Sequence, residues 1–204
     1  MITLLIADDH PLYRDALRGA LSVSLQDIRL LEAGDLPSTI DILNKEDVDL
    51  LLLDLHMPGS NDLFGLLHVL KLYSDLPVAV VSGTEDPLII SKIVGCGALG
   101  FIPKTAGAND IAKAIKSILD GNVWLPESVS GKIEEVDEAF SKLADNVASL
   151  TPSQYKVLCF MREGLLNKQI GYNLDIAEAT VKAHVTAIFR KLGINNRTQA
   201  VSKL

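Results

Sequence analysis

The stretch Val48–Gly59, VDLLLLDLHMPG, carries the strongest structural signal in the sequence. Its apolar run Leu50–Leu53 is typical of a buried parallel strand, and the run ends in the carboxylate of Asp54. Open α/β sheets bind ligands at the carboxyl edge of their strands. Asp54 is therefore either a functional acid or a solvated residue that ends a core strand. The two alternatives are distinguished by whether the other strands bring matching polar groups to the same edge.

Further strand-length apolar runs alternate with helical patterns through the first 120 residues. Besides the opening stretch, the predicted strands are Ile2–Ala7, Arg29–Glu32, Pro77–Val81 and Ala98–Ile102. This alternation predicts an α/β fold with a doubly wound, five-stranded parallel sheet. Polar residues lie at the ends of four of these strands. Asp8 and Asp9 follow the first strand, Asp54 follows the third, Ser82 follows the fourth and Lys104 follows the fifth. We expect these groups to meet at one edge.

The carboxylates expected at this edge are hard oxygen ligands of the kind that Mg²⁺ prefers. Asp9 and Asp54 are expected to bind the ion directly and Asp8 through water. The backbone carbonyl of His56 is placed to add a further oxygen. The sequence therefore predicts a magnesium site around Asp54.

Lys104 and the hydroxyl of Ser82 are suited to hold the oxygens of a phosphoryl group, which predicts that Asp54 accepts that group as an acyl phosphate. A phosphatase of the haloacid dehalogenase type also uses an Asp after a strand. Such an enzyme needs a second acid two residues later, where this chain has His56. An independent phosphatase is therefore disfavoured.

Residues 1–120 resemble the receiver domain of bacterial two-component response regulators. The resemblance is carried by the acid pair, by D-x-x-M-P-G at Asp54–Gly59, and by the serine and lysine named above. It implies that a sensor histidine kinase phosphorylates Asp54 in the presence of Mg²⁺. It also implies a switch in which Ser82 moves toward the phosphoryl group and Phe101 changes rotamer, although Phe101 is alternatively an ordinary core residue. The only catalysis expected is the receiver's own phosphorylation and dephosphorylation.

The charge of the chain divides unevenly. The 204 residues carry a net charge of -7, yet eight basic and three acidic residues from Thr151 onward give +5, which leaves -12 for the preceding part. The basic segment is a candidate for binding a polyanion.

Residues 121–148 are predicted to be an acidic, partly helical linker, because apolar residues recur at near-helical spacing from Ile133 to Val147. The predicted domains are 1–120, 121–148 and 149–204.

From Thr151 to the C-terminus the apolar residues recur at helical spacing, which predicts helices. Thr151 and Gln154 form a predicted capping box, and Asn167 is expected to cap a second short helix. A longer helix, Ala177–Leu192, follows with a basic exposed face. This order indicates an all-α helix-turn-helix domain, although an ordinary small helical domain with solvated lysines would have the same composition.

The runs LTPSQYKVL, EGLLNKQI and ATVKAHVTAIFRKLGINNRTQAV closely resemble the LuxR-type (NarL/FixJ-type) DNA-binding domain, from Leu150 to the C-terminus. The resemblance implies binding to promoter DNA and a dimerisation helix at Arg197–Leu204. By that resemblance Lys182, Ala183 and Thr186 face base edges, with Thr180 and His184 beside them. The implied phosphate contacts are Arg190, Lys191, and Asn167 or Lys168.

Together these features predict a phosphorylation-dependent DNA-binding transcriptional regulator that is a homodimer when active. The alternative is a phosphorylation-independent regulator whose receiver is a protein-interaction module. With no apolar run of spanning length and no leader pattern, we expect a cytoplasmic protein without a membrane partner. We also expect His10 in an exposed loop and His68 on a helix surface.

Overall fold

The computed structural model describes residues 1–60, 62–131 and 136–202. The chain divides into two compact units, Met1–Ser141 and Lys142–Leu204. Among the helices of the described ranges, none combines the length and the apolar composition that a membrane span requires. The division at residue 141 falls inside the expected linker, so the predicted domain boundaries remain expectations.

The first unit contains a sheet of five parallel strands. These are β1 Ile2–Ala7, β2 Ile28–Ala33, β3 Leu50–Asp54, β4 Val78–Ser82 and β5 Gly100–Pro103. They pair in the order β2-β1-β3-β4-β5. The helices that follow the strands are α1 Pro11–Ser24, α2 Leu36–Leu43, α3 Leu63–Leu72, α4 Pro87–Gly95 and α5 Ala108–Leu119. The predicted doubly wound parallel sheet is confirmed.

Alternate residues of the central strands pack against α1 and α5 in one hydrophobic core. Leu4 of β1 and Leu50 and Leu52 of β3 belong to this cluster, as successive side chains of a strand point to opposite faces. Leu51 and Leu53, which alternate with them, are also completely buried. Both faces of β3 are therefore covered, and this explains why the strand has no polar side chain before Asp54.

The prediction for His68 is wrong. We expected this residue on a helix surface, but its side chain is only 4% exposed in α3. Every residue from Phe64 to Val69 is buried, so the described part of α3 has no polar stripe along that run. A helix that is apolar nearly all round gives no periodic signal from which an outer face could be assigned.

The segment after α5 first packs beside the sheet and then becomes helical. Trp124 donates its backbone N–H to Leu99 O at 2.9 Å, and its own carbonyl accepts from the Phe101 N–H at 3.1 Å. Two helices follow, α6 Glu127–Ser130 and α7 Glu138–Ala148. The helical repeat predicted from Ile133 starts outside the described residues, and the described helix begins at Glu138.

The second unit contains the predicted helices. They are α8 Pro152–Arg162, α9 Asn167–Leu174, α10 Glu178–Leu192 and α11 Arg197–Ser202. The longest, α10, packs on both α8 and α9 and buries Val181, Ile188 and Leu192. Two short helices followed by a longer one match the expected helix-turn-helix order. The last two residues of the predicted final helix lie outside the described ranges.

Capping groups set the starts of α8 and α9. Thr151 Oγ1 accepts from the Gln154 N–H at 3.3 Å, while Gln154 Oε1 accepts from the Thr151 N–H at 3.1 Å, so the predicted capping box is confirmed. The prediction that Asn167 caps α9 is wrong, because Asn167 is already the first helical residue. Gln169 Oε1 instead accepts from the Leu166 N–H at 2.7 Å.

Candidate functional site

Four strand ends bring polar side chains together at the carboxyl edge of the sheet. Asp8 follows β1, Asp54 ends β3, Ser82 ends β4 and Lys104 follows β5. The side chains of Asp8 and Asp54 are only 2% and 1% exposed. Two carboxylates buried so close together require a counter-charge, because an unpaired buried charge is strongly destabilising.

Lys104 provides that counter-charge. Its Nζ lies 2.7 Å from Asp8 Oδ2 and 2.8 Å from Asp54 Oδ2. Burial on its own lowers the pKa of Lys104, but the hydrogen bonds and charges of Asp54 and Asp8 outweigh it and raise that pKa above its ordinary value. The ammonium is therefore charged at physiological pH. Its backbone N–H also donates to Ser82 O at 2.8 Å, which fixes the chain after β5.

The acid cluster fits a divalent cation. Asp8, Asp9, His10 and Asp54 each offer a ligand atom, and these atoms lie within 4.8 Å of one another. Three carboxylates against the single ammonium of Lys104 leave an excess of negative charge. Hard oxygen donors with excess negative charge suit Mg²⁺. The structure therefore brings the predicted acids together in an arrangement that could hold this ion.

His10 is a member of the cluster that we did not assign to the site. Its ring is 63% exposed, as expected for a loop, but Nδ1 lies 2.7 Å from Asp9 Oδ1 and 3.1 Å from Asp8 Oδ1. Its backbone N–H donates to Asp8 Oδ1 at 2.8 Å. The sequence feature that could have indicated this role is the position of His10 directly after the acid pair.

The carboxylate of Asp54 is oriented by the backbone that follows it. The His56 N–H donates to Asp54 Oδ1 at 3.1 Å. The imidazole of His56 is 60% exposed, and its Nε2 lies 3.3 Å from Asp62 Oδ1 at the rim of the site. The proposed role of the His56 carbonyl as a metal ligand stays a prediction.

The two expected switch residues, Ser82 and Phe101, are both buried. Ser82 has no exposed surface, and its Oγ accepts from the Thr84 N–H at 3.3 Å. Phe101 is also fully buried, within β5. The structure shows where the two residues lie, and their movement stays a prediction.

Tyr13 is a second residue that the sequence analysis missed. It lies in the first turn of α1, and Lys104 Nζ is over its ring, 5.1 Å from the ring centroid. This contact joins an early helix to the loop after the last strand. Only the tertiary fold shows it.

The second unit presents most of its expected DNA-contact residues to solvent. Those exposed on α9 and α10 are Lys168, Thr180, Lys182, Ala183, Thr186 and Arg190, whereas Asn167, His184 and Lys191 are half-buried. Thr186 Oγ1 donates to Lys182 O at 3.0 Å, within α10 itself. The structure thus places a basic and polar surface along α10.

The two lysines of α10 have different partners. Lys182 Nζ lies 2.9 Å from Glu178 Oε1 in an exposed pair one turn apart, which is a weak interaction that a polyanion can replace. Lys191 Nζ donates to Ser149 O at 2.6 Å and to Gln154 Oε1 at 2.8 Å. Lys191 therefore ties the end of α10 to the start of α8, whether or not it also contacts DNA.

Comparison with protein families identifies both units. Residues 4–116 match the family described as response regulator receiver domain, and residues 148–204 match the bacterial regulatory proteins of the luxR family. The chain belongs to the luxR-type response regulators. It is a DNA-binding transcriptional regulator rather than a classical enzyme, and dependence on phosphorylation is the standard behaviour of its family.

Relatives of this response regulator match nearly its whole length. It is 40% identical to the glycerol metabolism activator of Pseudomonas putida, over 98% of this chain and 94% of that protein. It is 32% identical to the transcriptional regulatory protein LiaR of Bacillus subtilis, over 98% and 95%. The nitrate/nitrite response regulator protein NarP of Escherichia coli is also 32% identical, over 97% and 91%.

Solved structures of RcsB are similar in fold. One RcsB response regulator from Salmonella typhimurium matches with a TM-score of 0.62 and 25% identity, over 100% of this chain and 98% of that one. A structure of two RcsB dimers bound to two parallel DNAs matches with a TM-score of 0.59 and 26% identity, over 98% and 96%.

Proposed function

We propose that this cytoplasmic response regulator accepts a phosphoryl group on Asp54 from a sensor histidine kinase, and that the acyl phosphate controls promoter binding through α10. The observation that carries the proposal is the position of Lys104, whose Nζ lies 2.7 and 2.8 Å from two buried acids at the ligand-binding edge of the sheet. The catalysis in this proposal is limited to the protein's own phosphorylation and dephosphorylation.

Asp54 is the proposed nucleophile. One of its carboxylate oxygens bonds to the phosphorus of phosphohistidine, the P–N bond breaks, and the bonding pair stays with the imidazole nitrogen. Mg²⁺ held by Asp8, Asp9 and Asp54, with the carbonyl of His56, would offset the charge of the phosphoryl oxygens. Lys104 already contacts Asp54 and can hold one of these oxygens by a charge-assisted hydrogen bond.

Ser82 and Phe101 form the proposed switch. The Ser82 hydroxyl accepts a bond from the Thr84 N–H, so its own O–H is available to donate to a phosphoryl oxygen on Asp54. Phe101 has no exposed surface, so a change of its rotamer requires neighbouring side chains to repack. Phosphorylation would thereby shift the population of the receiver between two packings.

The exposed face of α10 is the proposed DNA-reading surface. Lys182, Ala183 and Thr186 are positioned to meet base edges in the major groove, with Thr180 and His184 beside them. Arg190, Lys191, Asn167 and Lys168 are the proposed phosphate contacts. The exposed side chains in this set and the net charge of +5 from Thr151 onward support the proposal.

We propose that the active form is a homodimer on promoter DNA. The related RcsB was solved as dimers bound to DNA. Two helix-turn-helix units would place their α10 helices in half-sites about 34 Å, or one helical turn, apart.

Intact-mass measurement tests phosphorylation. The full chain incubated with acetyl phosphate and Mg²⁺ should gain the mass of one phosphoryl group. Asp54→Asn should show no such gain, whereas the control variant Asp75→Asn, which changes an exposed acid, should gain the same mass as the unaltered protein. An adduct that survives Asp54→Asn, or none in the unaltered protein, would contradict the proposal.

A salt titration of DNA binding tests the role of α10. With a duplex selected from random sequence by the protein, Lys182→Ala should weaken specific binding by about 1–3 kcal/mol if the lysine contacts a base edge. The matched control, Lys156→Ala on α8, removes the same charge from a residue outside the proposed surface. Equal losses for the two variants would count against the placement of α10 in the groove.

A further inference from the structure

The ring of Tyr13 lies against the ammonium of Lys104. Lys104 Nζ lies 5.1 Å from the ring centroid, within the roughly 6 Å range of a cation–π interaction. The same Nζ lies 2.7 Å from Asp8 Oδ2 and 2.8 Å from Asp54 Oδ2. Tyr13, Asp8 and Asp54 thus approach one cation together.

We propose that Tyr13 is a positioning residue for phosphorylation, whose aromatic ring holds Lys104 where its ammonium can bind the phosphoryl group on Asp54. The inference rests on the proposed function, since it assigns Tyr13 a part in that reaction.

The geometry explains why Lys104 needs such a support. A lysine side chain is a flexible four-carbon stem, and fixing it in one position has a high entropic cost. An ammonium carries three N–H bonds, and the two acids offer acceptors for two of them. The negative face of the ring is an attractive surface for the remaining part of the cation.

The ring, and not the hydroxyl, is the group that acts. The Tyr13 hydroxyl is buried, and within the described part of the chain it has no hydrogen-bond partner. Burial, and then the charges of Asp8 and Asp54, raise the pKa of Tyr13 to about 12. The phenol therefore stays neutral at physiological pH and adds no negative charge to the pocket.

Two substitutions separate the ring from the hydroxyl. Tyr13→Phe keeps the ring and removes the unpartnered hydroxyl, whereas Tyr13→Leu removes the ring and keeps an apolar side chain. With the full chain, acetyl phosphate and Mg²⁺, we expect Tyr13→Phe to be phosphorylated within about twofold of the unaltered rate. We expect Tyr13→Leu to be slower by about three- to tenfold, the range that corresponds to a cation–π interaction of about 0.7–1.4 kcal/mol.

The same measurement on a Lys104→Met background shows whether Tyr13 acts through Lys104. A positioning role predicts that Tyr13→Leu then changes the rate by less than about twofold, because the cation it holds is gone. A general packing role would give the same loss on both backgrounds and would overturn the inference. A loss for Tyr13→Phe as large as for Tyr13→Leu would also overturn it.

A readout without phosphorylation keeps this inference distinct from the proposed function. The rate at which an amine-reactive acetylating reagent labels Lys104, measured by peptide mass spectrometry, should rise at least threefold in Tyr13→Leu. Lys113, which is 74% exposed on α5, is the internal control and should not change. Unchanged Lys104 labelling overturns the inference even if Asp54 is phosphorylated normally. A rise in labelling supports the positioning contact even if no adduct forms, in which case only the proposed function has failed.

Discussion

Replacing Lys104 with methionine should destabilise the first unit, because Asp8 and Asp54 would lose their shared counter-charge. Both carboxylates are at least 98% buried, and their ligand atoms lie within 4.8 Å of each other. At an effective dielectric constant near 20, two like charges at that separation repel by about 3.5 kcal/mol. Removal of one partner from a buried ion pair costs about 3–5 kcal/mol. We therefore expect Lys104→Met to lower the free energy of unfolding by about 3 kcal/mol.

Urea unfolding in the presence of EDTA measures this change without a contribution from bound cations. Trp124 is the only tryptophan of the chain and packs against the core of the first unit, so its fluorescence reports on that unit. The double variant Lys104→Met with Asp54→Asn removes one of the repelling charges and should recover most of the loss. A single variant within about 1 kcal/mol of the unaltered protein, or a double variant no more stable than the single one, would refute the electrostatic reasoning.

Two further predictions concern other parts of the molecule. Arg197 donates to Met161 O at 3.1 Å and also to Leu165 O. Arg197→Ala should therefore destabilise the second unit by about 2 kcal/mol and speed amide hydrogen exchange in α8. Unchanged exchange in α8 would exclude this anchoring role. Burial, partly opposed by the charge of Lys92, raises the pKa of Cys96 to about 11. At pH 8 iodoacetamide should therefore label this thiol roughly a hundredfold more slowly in the native protein than in urea, and the native rate should increase as the pH rises toward 11. Equal labelling of native and unfolded protein would disprove this prediction.

The sheet could be predicted because its signals are local. A strand covered on both faces must be continuously apolar, and Leu50–Leu53 has that composition. The acid at its end and the polar groups at the other strand ends follow from the topology of a parallel sheet, in which all carboxyl ends share one edge. The capping box of Thr151 and Gln154 was equally local, since both of its hydrogen bonds join residues three apart.

The features that the sequence did not reveal depend on tertiary contacts or on competing local ones. His68 lies in a helix without a polar face, so no periodic pattern shows that it is buried. Asn167 was expected as a cap, but the side chain of Gln169 satisfies the Leu166 N–H one position earlier. The contact of Tyr13 with Lys104 exists only because α1 and the loop after β5 are adjacent in the fold.

Lys191 shows the same limit within the second unit. The resemblance to the LuxR-type domain implied a phosphate contact for this residue, and the structure adds two hydrogen bonds to the start of α8. A variant of Lys191 would therefore alter stability together with DNA binding, which makes Lys182 the better probe of the interface.

Phosphorylation of Asp54 is proposed to control DNA binding. Fluorescence anisotropy on a duplex selected by the protein tests it directly, with and without acetyl phosphate and Mg²⁺, for the unaltered protein and Asp54→Asn. We expect acetyl phosphate and Mg²⁺ to tighten DNA binding of the unaltered protein by about 5- to 150-fold, the usual range of allosteric coupling, and to leave the affinity of Asp54→Asn unchanged. An unaltered affinity in protein whose mass shows the phosphoryl group, or an equal gain in Asp54→Asn, would contradict it and favour a regulator that acts independently of phosphorylation.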